Sequence, residues 1–181
     1  EGEDRRSKDS LAEFLFVRPT PAATTRATVA HLGNIAYAAA QEMVMVALPF
    51  INERVGGTVH TFSNLRVATN VLNLAGGVAM GAFSDRAGPK TALLVSHASA
   101  AASFFLVGAA GSVGALYLSA LPIVSMHGYQ TTMHVMTLNS DESQRARALG
   151  RVGSLYGVGM FLGSAALLGA LPLVPPRAVA L

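Results

Sequence analysis

Of 181 residues, 51% are hydrophobic and only 13% are charged, against the roughly 25% charged that a soluble globular domain carries, so the solvent implied is lipid. There is no cysteine, which excludes a disulfide framework, a thiolate metal centre and a thiol nucleophile. The net charge of +3 is spread between apolar runs and not gathered on one surface, which argues against nucleic acid as a partner.

Residues 1–26 read as a cytoplasmic tail. The chain begins with Glu1 and not Met, so a fragment or processed product is expected. Leu11 to Val17, behind Arg5, Arg6 and Lys8, resembles the apolar core of a signal peptide. Arg18 and Pro19 close that run without a clear cleavage site, which favours a disordered or membrane-surface tail.

Five long apolar runs follow, at 27–51, 62–83, 91–110, 113–138 and 152–174. About twenty helical residues span the ~30 Å hydrocarbon core, so each run is long enough for one crossing. His31, Asn34, Gln41 and Glu42 interrupt the first run, and Arg66, Asn70 and Asn73 the second. The third is rich in Ala and almost free of charge, the fourth contains Pro122, and the fifth is rich in Gly. Residues 175–181 read as a truncated loop. Five such runs exceed what 181 residues could wrap in polar helices, so a soluble α domain is the weaker alternative.

Lys and Arg in short loops favour the cytoplasmic side. With the amino terminus inside, Arg5, Arg6, Lys8, Arg18, Arg26, Arg86, Lys90, Arg145, Arg147 and Arg151 fall on that side, against Arg54 and Arg177 on the other. An integral, multi-pass protein with a cytoplasmic amino terminus is expected. Which membrane holds it is open.

Between the second and third runs lies Gly81-Ala82-Phe83-Ser84-Asp85-Arg86-Ala87-Gly88-Pro89-Lys90. In position and spacing it resembles the signature loop of the major facilitator superfamily, with Gly81, Asp85, Arg86, Gly88 and Lys90 matching and Pro89 in place of a basic residue. Gly150, Gly159 and Gly163 fit the spacing of the glycine pattern in the family's antiporters, while Ser164 replaces its Pro. The fourth run carries no arginine between Ala110 and Asn139, where the family's proton-coupled members have one. Pro122 to His127, Asp141-Glu142, Ala148 to Arg151 and Tyr156 to Gly159 look like organic-cation-transporter-like members of solute carrier family 22.

The resemblance implies an all-α membrane protein, the amino-terminal bundle of a major-facilitator transporter with about five of its transmembrane helices. It implies alternating access that moves small organic solutes, organic cations or drugs among them, with proton-coupled antiport as one form. The carboxy-terminal half of the same protein is an implied partner, beside the bilayer and H+. No cofactor, metal or enzymatic activity is expected, and no transport by the fragment alone. A receptor or scaffold that keeps the fold without transport is the alternative.

Candidates for substrate or proton contact are Asn34, Gln41, Glu42, Asn70, Asn73, His127, Gln130 and His134. Glu42 is the sharpest, because an ionisable group inside a membrane span is costly and marks function by default; its bland reading is a pair with Arg66 or a backbone group that merely holds helices together. Asn70 and Asn73 equally suit interhelical packing. Arg66 lies near the expected outer end of its run and could snorkel to the interface. His127, Gln130 and His134 share one helical face, and histidine titrates near neutrality, yet packed histidines would look the same. Gly150, Gly159 and Gly163 read as helix-packing positions.

Overall fold

A computed structural model describes the backbone of residues 21–170 and the side chains of 27–169. The start of the tail, the end of the fifth run and the 175–181 loop lie outside the described residues. Six α-helices follow in order: α1 (Pro21–Arg54), α2 (Val59–Ala87), α3 (Pro89–Gly108), α4 (Val113–Ser119), α5 (Gly128–Leu138) and α6 (Glu142–Ala170), with a 3-10 turn, Leu121–Ser125, between α4 and α5. There is no strand among the described residues.

Local chemistry sets the boundaries. Thr58 caps α2 by accepting the Thr61 backbone N–H, while the Thr61 hydroxyl accepts the Thr58 N–H, which satisfies two otherwise orphaned donors. Gly88, with φ +84°, ends α2 and caps α3 at once. That left-handed backbone suits only glycine comfortably. Pro89 then opens α3, where its missing N–H costs nothing. Ser112 caps α4 through the Ala115 N–H.

The fourth run departs from the single helix expected over 113–138. Pro122 has no N–H to continue the ladder, and its ring collides with the carbonyl one turn back. The helix therefore stops at Ser119, tightens into the 3-10 turn and restarts at Gly128. Such a break at membrane depth is tolerated where protein or a cavity surrounds it, and here it packs on α2 and α3 and is tied to α1 through Tyr37.

Three apolar clusters stack along the bundle. Leu48, Leu65, Val107 and Leu116 pack at the end that carries residues 54–58 and 109–112. Tyr37, Ala100 and Met126 meet at mid-height. Ala30, Met136, Ala148 and Val152 close the end that carries Gly88. The longest seam joins α1 to α6, where a Cβ on Gly159 or Gly163 would run into the carbonyl oxygens of Ile35 and Ala39. Gly150 faces open space instead.

The outer surface is apolar. Val67, Val71, Leu74 and Val78 form a stripe along α2 that is 61–78% exposed. A patch of that kind is a liability in water and costs nothing in lipid. Helices α1, α2, α3 and α6 are each long and apolar enough to cross a membrane.

Candidate functional site: an intramembrane cleft and its polar flank

Helices α1 and α2 barely touch, and the broken segment, packed on α2 and α3, floors the gap between them. The result is a cleft of about 150 Å³, lined by Tyr37, Gln41 and Met45 of α1, Arg66, Asn70 and Asn73 of α2, and Ser119 and Ile123 of the break, among others. The Tyr37 hydroxyl donates to the Met126 carbonyl at 3.0 Å, which satisfies a carbonyl freed by the break. Arg66 is half-buried and stands two turns inside α2, one turn deeper than the apolar run suggested. It does not meet Glu42; its Nη1 lies 2.8 Å from the Met45 sulfur.

Glu42 belongs to a second polar group on the α6 side of α1. The Ser164 hydroxyl donates to Glu42 Oε1 at 3.3 Å, and the Tyr156 hydroxyl donates to Gln41 Oε1 at 3.2 Å. Tyr156 is itself stacked at a tilt on Tyr129 of α5, with ring centroids 4.8 Å apart. Gln41 thus belongs to both groups, since it lines the cleft and accepts from α6.

The remaining candidates separate. Asn34 is fully buried and donates to the Val152 carbonyl at 3.0 Å, a tie between α1 and α6. His127 is buried at the restart of α5, with Nδ1 2.8 Å from Gln130 Oε1 and the ring over Gly76 and Gly77. Gln130 itself is exposed. His134 lies one helical turn from Gln130, and its Nδ1 is 2.8 Å from the buried Ser84 hydroxyl. The broken segment is thereby tied to the residue next to Asp85. His97, on α3, packs on Gly33 and tilts against Tyr37 with centroids 5.8 Å apart.

In the charged turn, Asp85 and Arg86 occupy the exposed last turn of α2, and Lys90 the exposed first turn of α3. Gly81 has nothing within reach of a Cβ, whereas Gly88 takes the reversal. Arg86 complements the negative end of the α2 dipole; Asp85 is disfavoured there.

Reading the sequence missed Tyr37, Met45, Thr69, Tyr156 and Ser164. The one available signal was position, since Tyr37 falls one turn before Gln41, and Tyr156 stands five residues after Arg151.

Four membrane-crossing helices around a broken fifth segment, with polar groups turned inward, define an integral multi-pass membrane protein. The chain belongs to the major facilitator superfamily, whose model matches residues 30–180. Solute carrier family 67 member A1 from Homo sapiens is 37% identical over 122 residues, 65% of this chain and 29% of that protein. Solute carrier family 22 member 18 from Mus musculus is 34% identical over 122 residues, again 65% of this chain and 30% of the relative. The match thus spans less than a third of these relatives. No solved structure matches the chain.

Proposed function

We propose that the chain is the amino-terminal helical bundle of a secondary transporter that moves small organic solutes by alternating access between two halves. The observation that carries this reading is the pairing of an intramembrane cleft with an ionisable side chain, Glu42, one residue from its wall. Ionisable groups at that depth mark ion and substrate paths, and discontinuous helices recur at transporter sites. Glu42 is the proposed proton or cation carrier of an exchange cycle, and Gln41 couples it to the cleft. Relatives named as solute carriers support the class of activity. Arg86, Lys90, Arg145, Arg147 and Arg151 share the Gly88 end, which supports a cytoplasmic assignment for that end. Transport by the assembled protein in proteoliposomes tests the reading, and a purified, folded protein that fails to move any panel of organic cations, anions and neutral solutes would leave a receptor or scaffold.

Asp85 is proposed to act in the conformational cycle. A carboxylate on the last turn of a helix is locally unfavourable by about 0.3–1 kcal/mol, and the compensating partner is assigned to the other half of the transporter in one of its two states. Asp85→Asn is expected to change the inward-to-outward ratio by about two- to five-fold, read by cysteine labelling from each side of the membrane. An unchanged ratio would reduce the turn to a topology marker.

A further inference from the structure

The cleft contains one charged residue, and it is a cation. None of the residues that line it is Asp or Glu, and Glu42 is engaged by Ser164 on the other side of α1. Among the described residues the Arg66 guanidinium meets a thioether, the Met45 sulfur. A thioether is a weak acceptor, whereas a guanidinium presents five donors in a fixed fork. An intramembrane arginine supplied so poorly with acceptors needs them from elsewhere.

Snorkelling does not provide them. Arg66 starts seven residues below the first residue of α2, or about 10 Å at 1.5 Å per residue. Its side chain reaches Met45, nine residues below Arg54 at the end of antiparallel α1, or about 13 Å down. The ends of the two helices are level, because the Asn52 amide donates to the Thr58 carbonyl at 3.1 Å. The guanidinium therefore points into the cleft and not toward the membrane surface.

The neighbours fit the same occupant. Asn70 and Asn73 lie one and two turns further along the cleft wall, and no described residue hydrogen-bonds to their side-chain amides. The Gln41 side chain lies across from them on α1 with its oxygen already taken by Tyr156, which leaves its NH2 as donor. Phe104, Leu48 and Leu116 line the apolar part. A cavity of about 150 Å³ accepts a group about the size of a benzene ring.

We propose that the cleft between α1 and α2 is an anion subsite in which Arg66, assisted by Asn70, Asn73 and Gln41, receives a carboxylate or phosphate borne on a small apolar body. This rests on the transporter reading only in taking the occupant to be the transported solute; the chemistry recognised is that of an organic anion or of an anionic lipid headgroup. With Glu42 on the opposite face of α1, the bundle holds separate places for a negative and a positive charge.

The test reads binding and not transport, so it stands apart from the fate of the transporter reading. The protein, purified in full length in nanodiscs of phosphatidylcholine, is titrated with benzoate, benzamide and benzylammonium, and thermal stability is followed. Benzoate is expected to raise the Tm in a saturable manner and to bind at least ten-fold more tightly than benzamide or benzylammonium. Arg66→Gln is expected to abolish the preference, and Arg66→Lys to retain part of it, because a point charge lacks the fork. In a second arm, nanodiscs containing phosphatidylglycerol are compared with phosphatidylcholine alone. An Arg66-dependent gain in Tm from phosphatidylglycerol, with no benzoate response, assigns the subsite to a lipid headgroup. Equal responses to benzoate and benzylammonium, or no response to either benzoate or phosphatidylglycerol, would overturn the proposal. Because the probes are compared on the wild-type protein, the test holds whether or not the Arg66 variants fold.

Discussion

Gly76→Ala is expected to give a purified protein whose Tm lies about 2–12 °C below that of Gly77→Ala. A Cβ on Gly76 would strike the Val124 carbonyl oxygen and come within 2.7 Å of its carbon and 2.8 Å of His127 Nε2. The obstacle is backbone, and that backbone has little room to retreat. Tyr37 ties the turn at Met126, and the turn also packs on α3. Overpacking of this kind costs about 1–3 kcal/mol, and each kcal/mol shifts the Tm of a chain of this size by about 2–4 °C. On Gly77 the nearest atom to a Cβ is His127 Cε1 at 3.6 Å, an ordinary contact. The neighbouring pair therefore separates a steric effect from helix propensity, since both changes replace Gly by Ala in one helix. Equal Tm values for the two variants would mean that the broken segment does not rest on α2 as described.

Glu42→Gln is expected to leave the Tm unchanged and to reduce proton-driven exchange by at least ten-fold in proteoliposomes. Glutamine keeps the shape and still offers an oxygen to the Ser164 hydroxyl, so the α1–α6 contact survives. Only the ability to carry charge is removed. Under the proposed cycle, flux driven by a pH gradient falls, whereas exchange of one labelled solute for another, which needs no net proton movement, falls less. Unchanged gradient-driven flux would remove Glu42 from the coupling path and leave it as a tie between helices.

The long spans were legible because a bilayer imposes a length on every crossing, and runs such as 91–110 show that length with nothing to obscure it. Pro122 marked the place of the break in the fourth run. Its extent was not legible, because Leu121 to Met126 carries a single polar residue, Ser125, and His127 before Gly128 reads equally well as one position on the face of an unbroken helix. The site was partly legible. Polar residues in an apolar setting, such as Glu42, Arg66, Asn70 and Asn73, declare themselves, but their partners do not. The bland alternative in which Glu42 meets Arg66 paired opposite charges on the nearest two helices. Ser164 takes Glu42 from 122 residues away, a choice made by the approach of α6 to α1 along Gly159 and Gly163. Tyr37 and Met45 escaped notice because an aromatic or a methionine among apolar neighbours looks like core. Ser84 and His134 were each visible in their own segments, and only the parallel course of α2 and the broken segment brings them together.

The α1–α6 seam also sets a timetable for biosynthesis. Asn34 and Val152, which bond across it, are 118 residues apart in the chain. At about 5–20 residues per second, α1 emerges from the ribosome about 6–24 s before its main partner exists. During that interval Asn34, Gln41 and Glu42 stand in or beside the bilayer without the helix that later shelters them. Helix α1 is made long before it is satisfied, so the insertion machinery must hold it, and changes at Gly159 or Gly163 should be detected by the cell as a failure of α1 to leave that machinery.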